Sequence, residues 1–563
     1  MLDAPPAVIR TLPRPRATSD PARRSRWLVV VVAIAAALVS VPVVSIAVDV
    51  LAAGTGSTWA HLVATVLPEY VRATVVLVLG VGIGVSLLGV GAAWLVTHLD
   101  FPLRRSLEWA LVLPLAVPAY VMAYAYADWL QYAGPVQSAL REAFGWRRGD
   151  YWFFEVRSLG GAVVVLSAVL YPYVYLLARV AFLERGGAMM EAGRSLGLTP
   201  WQSFLRVSLP MARPAIAGGT ALALMETLSD YGTVSYFGVQ TFTTGIVRAW
   251  FSLGDRAAAA QLSMCLLGFV VFVLAAERAA RGRARFYGAA TQRRPPQSVR
   301  LRGGRAALAM VACALPLIVG FALPAGLLLK MALADGDPQF GLRFATLAGH
   351  SLLLSSSAAV AAVTLAVAFA YARRTEPRPL THAAHAVAGL GYAFPGTVIA
   401  VGVLIPLAQL DNALALWLRE HAGWEVGLIF TGSIAALVYA CVIRFLASAL
   451  HTVDAALARI TPSMDDAARS LGLTATHTLG RVHLPLLRRS LLTAGLLVFI
   501  DVMKELPATL VMRPFNFDTL ATQAFQLASD ERLAEAATAS IAIVVVGLLP
   551  LVLLSRQITT DRR

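Results

Sequence analysis

Along most of this chain apolar and polar residues do not alternate. Apolar residues run unbroken for twenty positions or more, and the polar ones gather between the runs. A stripe recurring every 3.6 residues marks a helix half in water, whereas a stretch of about 20 apolar residues marks a helix solvated by lipid. In the first half such runs lie at 27–51, 70–95, 107–130, 160–182, 211–234 and 257–276. The second half supplies 306–333, 350–371, 382–410, 427–450, 486–510 and 534–554. The pattern predicts an all-α membrane protein of about 12 transmembrane helices, six in each half. The first run exceeds the roughly 7 to 15 residues of a signal-peptide core, so it is expected to span and stay.

The polar intervals carry a second signal. EAGRSLGLTPWQSFLRVSLP at 191–210 returns as DAARSLGLTATHTLGRVHLP at 466–485, aligned without a gap so that Glu191 falls on Asp466 and Pro210 on Pro485. At the same constant offset Phe242 falls on Phe517, Thr244 on Thr519, Ala249 on Ala524 and Asp255 on Asp530. The chain therefore reads as a tandem duplication: a basic tail 1–26, a first half 27–277, a basic linker 278–305 and a second half 306–563. Each copy of the repeated segment reads as helix, break, helix. Gly197 and Gly472 supply the turn, and Pro210 and Pro485 suit the first turn of the span that follows. Leu196, Leu198, Phe204 and Val207 give the hairpin an apolar face that lipid does not cover, so it calls for a protein partner.

Composition agrees with a membrane protein: 58% of the 563 residues are hydrophobic, 14% are charged, and the mean hydropathy is +0.69. The formal charge of +15 is almost wholly arginine, since Lys330 and Lys504 are the only lysines. Such an excess in a membrane chain reports cytoplasmic loops rather than nucleic-acid binding. The tail, Arg104 and Arg105, the linker, Arg373 and Arg374, and Arg562 and Arg563 fall on one side if twelve spans are threaded, which predicts that both termini are cytoplasmic. Both repeated segments then face the cytoplasm. With an even number of spans in each half, the halves are parallel, related by an axis along the membrane normal, unlike inverted repeats. Cys265, Cys313 and Cys441 lie in apolar runs and imply neither a disulfide frame nor a thiolate metal site.

Acidic residues recur at the outer end of the fifth run of each half. Glu226 and Asp230, with Tyr231 beside them, match Asp501 and Glu505, with Lys504 beside them, again at the offset of the duplication. Carboxylates at i, i+4 would share a helix face, and each costs at least roughly 2.5 kcal/mol at span depth. The residues permit a structural network in which Lys504 neutralises Glu505 or Asp501, a gate whose halves meet and part, or transient oxygen ligation of a hard cation by Glu226, Asp230, Asp501 and Glu505. The segments 235–256 and 511–532, with Trp250 and Phe525, read as outer loops on which a partner would dock. His382 and His385 at i, i+3 lack a third ligand in sequence and read as a helix start at the membrane surface. No nucleophile and base stand at a spacing that would make an intramembrane enzyme.

The repeated segment resembles the cytoplasmic coupling loop of ATP-binding-cassette importer permeases: Glu191, Ala192, Gly197, Val207, Leu209 and Pro210 match its pattern, as do Ala467, Ala468, Gly472, Val482, Leu484 and Pro485. Gly193 replaces the second alanine and Asp466 the glutamate. The acidic runs further resemble the fused two-half permeases of ferric-iron importers, and related fused permeases carry thiamine or other small solutes. The resemblance implies a non-catalytic subunit of the bacterial inner membrane whose two loops dock on two nucleotide-binding ATPase subunits. It also implies an extracytoplasmic substrate-binding protein that delivers cargo. No cofactor is expected on this chain; ATP and Mg would be used by the partner subunits, since neither lysine follows a glycine as a Walker A loop requires. An ion-coupled secondary transporter, with the four acids as its relay, is the alternative from another class.

Overall fold

Long lipid-length helices dominate the computed structural model, which describes residues 26–53, 57–147, 149–195, 197–281, 299–334 and 341–560. The first described helix is α1 (Arg26–Ala53), followed by α2 (Leu67–His98). On α2 the buried positions Tyr70, Ala73, Leu77, Val81, Val85, Gly89, Ala92 and Val96 recur every three or four residues, while Val75, Leu79, Ile83 and Leu87 between them are exposed. Both faces are apolar, so the exposed one is a lipid face. The buried one is rich in small residues, which lets a neighbouring backbone approach. That neighbour is α5.

The chain continues as α3 (Arg104–Ala110), α4 (Ala119–Leu130), α5 (Leu159–Ser195), α6 (Leu209–Ser229), α7 (Gly232–Tyr236), α8 (Phe242–Phe251) and α9 (Arg256–Arg281). A pair of helices follows, α10 (Gly304–Leu317) and α11 (Leu323–Ala334), then α12 (Leu342–Thr375), α13 (Pro379–Ala388), α14 (Gly396–Ala422), α15 (Ile434–Leu457) and α16 (Pro462–Ser470). The last elements are α17 (Leu484–Met503), α18 (Pro507–Met512), α19 (Leu520–Ser529) and α20 (Leu533–Thr560). Helices α2 and α12, α5 and α15, and α6 and α17 begin at copy-related positions, the offset of the repeated segment holding for each pair. The only strands among the described residues, β1 (Leu99–Asp100) and β2 (Val299–Arg300), pair in parallel and tie the end of the linker to the end of α2.

Eight described helices are long and apolar enough to cross a membrane, or nine if the segments Arg104–Ala116 and Ala119–Phe144, bent by 92°, form one span. The expected run 107–130 is therefore not a straight helix: Pro114 and Pro118 interrupt it, and a short 3-10 turn at Leu113–Ala116 fills the gap. The run 211–234 is cut as well. Its helix stops at Ser229, Asp230 takes extended backbone (ψ 132°), and α7 starts anew. The run 427–450 is displaced, the helix beginning only at Ile434 and continuing to Leu457.

First helices cross over. Helix α1 packs against α12, α13 and α14 in the other half of the sequence as well as α9 in its own, and α11 packs against α4 in the other half as well as α20 in its own. The apolar cores follow that exchange: one joins residues of α2, α4 and α5 with α10 and α20, and another joins Leu28, Val32 and Val39 of α1 with α12, α15 and α17.

Candidate translocation site and coupling segments

All six predicted pathway residues line one cavity of about 90 Å³, enough for a handful of waters. Glu226 comes from the last turn of α6 and Asp501 from that of α17, while Asp230, Tyr231, Lys504 and Glu505 follow where those helices end. The expected shared helix face is thus not what joins the acids; the breaks after Ser229 and Met503 turn Asp230 and Glu505 out of their helices. Asp230 accepts hydrogen bonds from Thr233 Oγ1 (2.9 Å) and the Val234 amide (3.1 Å), and Glu505 Oε1 accepts one from the Ala508 amide (2.9 Å). Each acid therefore satisfies the free amides that open the short helix after it, as a helix-capping carboxylate does. Lys504 Nζ pairs with Asp501 Oδ1 at 2.9 Å, not with Glu505.

Glu505 has a different cation. Arg444, on α15 and only 5% exposed, donates from Nη1 to Glu505 Oε2 at 2.6 Å, and its Nη2 lies 3.7 Å from Glu226 Oε2. The backbone of Gly396 makes room, since a Cβ there would fall 2.8 Å from Glu505 Oε1 and 2.5 Å from Arg444 Nη1. Further bonds cross the site: Tyr173 and Tyr392 hydroxyls lie 3.2 Å apart, and Ser229 Oγ accepts from the Gly396 amide at 3.2 Å. The Tyr231 ring sits 5.6 Å from that of Phe525. Among the described residues no three His, Cys, Asp or Glu side chains converge as metal ligands.

Sequence reasoning missed Arg444, although an arginine inside an apolar run is itself a costly signal. Its counterpart in the first copy is Val169, which lines the same cavity without charge.

The repeated segment has the predicted break. Gly197 (φ +78°) and Gly472 (φ +80°) both take the left-handed conformation that ends a helix. Before Gly472, the amides of Leu471 and Leu473 donate to the carbonyls of Ala467 and Ala468. Glu191 and Ala192 fall in the last turns of α5, with side chains outside the described residues, as is Leu196. In the second copy the approach is broken earlier, α15 ending at Leu457 and α16 starting with Pro462, which holds Thr461 extended. Asp466, Ala467 and Ala468 belong to α16. Leu209, Pro210, Leu484 and Pro485 do not begin their helices after a gap: π-helical turns at Phe204–Ser208 and Leu479–His483 run straight into them. A third π turn, Ile318–Ala322, also precedes a Leu-Pro pair. A widened turn removes the clash between a proline ring and the carbonyl one turn back.

The expected exposed face is smaller than its sequence suggests. Phe204 is buried, with ring contacts to Trp94, Phe182 and Trp201. Trp201, Leu205, Met464 and Leu471 remain exposed. The second copy is held by ions instead: Arg374 donates to Asp465 (2.8 Å) and to the carbonyls of Leu457 (2.8 Å) and Ile460 (2.9 Å). Fully buried His483 places Nε2 2.8 Å from Asp465 Oδ1, off the axis a hydrogen bond needs. Burial lowers the His483 pKa more than Asp465 raises it.

The expected outer loops are mostly buried helix. Thr241 and Thr519 cap α8 and α19 with matching boxes, Thr244 and Thr522 closing them, so the register between the copies shifts here and Thr241 corresponds to Thr519 rather than to Asn516. Phe517 is consequently not the partner of Phe242; its ring stacks on His350 at 4.4 Å. Phe525 is buried, and Phe251, Leu253 and Phe515 are what this surface exposes. His385, expected without a carboxylate, meets Asp454 in space at 2.7 Å, and Arg373 joins the same acid at 3.2 Å.

This geometry coincides with a family likeness. Residues 85–281 match the binding-protein-dependent transport system inner membrane component. That stretch of the chain is a permease domain. It holds α5 and α6, the first coupling segment and the first acid pair. Over 494 residues the chain is 23% identical to the Fe(3+)-transport system permease protein FbpB 2 of Haemophilus influenzae, covering 87% of this chain and 90% of that protein. It is 27% identical to the molybdenum transport system permease protein ModB of Escherichia coli over 192 residues, 33% of this chain and 80% of the relative. The sulfate transport system permease protein CysT of Escherichia coli is 29% identical over 151 residues, 27% of this chain and 52% of the relative. With its apolar helices, this likeness marks the chain as a multi-pass inner-membrane protein.

Proposed function

We propose that this permease is the membrane subunit of an ATP-binding-cassette importer for ferric iron, with the acid-lined cavity as a closed point on its path. The observation that carries this reading is the convergence of both acid pairs, one from each copy of the duplication, on one cavity. Likeness to a ferric permease along 87% of the chain supports the cargo. The cavity's four carboxylates outnumber its two cations, Arg444 and Lys504, which suits a hard cation better than an oxyanion such as sulfate. The ion-coupled carrier is not favoured, because the relatives belong to binding-protein-dependent systems.

In this reading twelve spans form two parallel six-helix halves, 27–277 and 306–563, joined by the linker 278–305 and preceded by the tail 1–26. The spans are the eight long helices, the bent pair, and α6, α17 and α20. Both termini and both repeated segments face the cytoplasm, where Glu191, Ala192, Gly197, Leu209 and Pro210, and Asp466, Ala467, Gly472, Leu484 and Pro485, receive one ATPase subunit each. ATP and Mg bind those subunits. A binding protein loaded with ferric ion docks on the opposite face. The test is uptake of radioactive iron by vesicles holding the permease, its ATPase subunits and a ferric-ion-binding protein. Uptake that needs ATP and prefers iron over molybdate and sulfate is expected; uptake without the ATPase subunits, or of an oxyanion alone, overturns the reading.

A further inference from the structure

The two ion pairs of the cavity are built differently. Lys504 and Asp501 stand three residues apart at the end of α17, so their bond travels with one element. Arg444 reaches carboxylates on elements that belong to different packing units. Ile443 and Phe445 on either side of it pack into the core of α12, α15 and α17, whereas Met225 and Leu228 around Glu226 pack into the core of α6, α8 and α9. The cavity is lined by Arg444 and Phe445 from the first unit and Glu226 from the second, with Leu166, Leu170 and Leu506 of a third core between them. Two other polar bonds across it are neutral and longer, Tyr173 to Tyr392 and Ser229 to Gly396, each 3.2 Å, and the Tyr392 hydroxyl also meets Glu226.

We propose that Arg444 is the latch that holds this cavity shut. One guanidinium clasps Glu505 of its own sequence copy and Glu226 of the other copy, and the cavity opens when the second clasp lets go. Bond lengths give the order: the 2.6 Å bond to Glu505 stays, and the 3.7 Å pair with Glu226 parts. A buried guanidinium needs counter-charge, so Arg444 remains with Glu505 through the cycle and Glu226 becomes the carboxylate offered to a passing cation. Because Val169 occupies the copy-related place, the latch is one-sided and the two acid pairs are not equivalent. The inference rests on reading the cavity as the path, but its test does not require transport.

In the full chain, Cys265, Cys313 and Cys441 are replaced by serine, and Val169→Cys, an uncharged position in the cavity lining, becomes the sole thiol. Its reaction rate with a membrane-impermeant thiol reagent is then measured in membranes of the expressing cell. Arg444→Met and Glu226→Gln are each expected to raise the rate about tenfold, and the double variant no further than the larger single effect, because both remove one shared contact. Unchanged rates in both single variants, or effects that multiply in the double, overturn the latch. If Arg444→Met fails to reach the membrane, the near-isosteric Glu226→Gln decides alone. Labelling needs neither cargo nor ATP, so failed iron uptake strikes the proposed function while this result stands apart from it.

Discussion

Gly396 shows how tightly single residues are set in this site. No side chain fits where its Cβ would stand, between Arg444 Nη1 and Glu505 Oε1. Gly396→Ala is therefore expected to push the guanidinium away from the acids and cost about 1–3 kcal/mol, as overpacking of filled interiors does. A lowered thermal midpoint together with reduced iron uptake in vesicles is the expected result, and wild-type values for both would show that the site yields. The residues at the break, Gly197 and Gly472, carry a different constraint. Their left-handed backbone disfavours any side chain by roughly 1–2 kcal/mol, while the space around each is open. Gly472→Asp should leave membrane insertion intact yet prevent copurification of the ATPase subunits; undiminished copurification would remove the docking role from this turn. The acids and glycines were legible in sequence because they recur at one offset. Arg444 was not, because its copy is a valine and duplication hides whatever only one half possesses.

Elements were legible wherever composition alone decides them, and illegible where tertiary partners do. The long apolar helix α2 was read to within three residues at each end, and α12 was recognised although it begins eight residues before the predicted run, but Asp230 and Glu505 end their helices only because each finds the amides of a following short helix to satisfy. The same holds at the far end of α14, where a residue just past the predicted span proves structural. Asp411 is buried and accepts from the amides of Ile429 (3.2 Å), Phe430 (2.9 Å) and Thr431 (2.8 Å) and from the Thr431 hydroxyl (2.7 Å). Asp411→Ala would orphan those donors, a loss of about 1–3 kcal/mol for each one left buried and dry. Its thermal midpoint in detergent should fall, whereas Asp411→Asn, which keeps an acceptor oxygen, should fall less. The second coupling segment has its own pH dependence. Because the His483 pKa in the folded chain lies below its ordinary value of 6.5, protons bind the unfolded chain more readily, and stability is lost as pH falls below 6.5 towards the folded value. Midpoints measured from pH 7.5 down to 5.5 should decline more steeply in the wild type than in His483→Gln; parallel curves would assign the decline to other groups.

At the scale of the whole molecule the decisive feature is the exchange of first helices. Sequence reading divides the chain into consecutive halves, and the offset supports that division as genealogy, but packing does not respect it. Helix α1 lies on α12, α13 and α14 as well as on α9 of its own half, and α11 lies on α4 as well as on α20 of its own half, so each sequence half supplies a wall of the other's core. Hydrophobic patterning could not reveal this, because a lipid-facing helix and a helix facing another protein surface carry the same apolar residues. The exchange makes covalent continuity dispensable for assembly while making each half dependent on its partner. A gene cut within the linker, giving fragments 1–290 and 291–563, tests both consequences. Expressed together, the fragments should copurify from detergent in equal amounts and support iron uptake. Expressed alone, each should be degraded, since Leu28 and Val32 of α1 lose the core they share with α12 and α15 in one fragment, and Val403 of α14 loses the cover of α1 in the other. A single fragment that purifies as a stable, monodisperse species would mean that each half closes its own core, and the interlocked architecture would have to be abandoned.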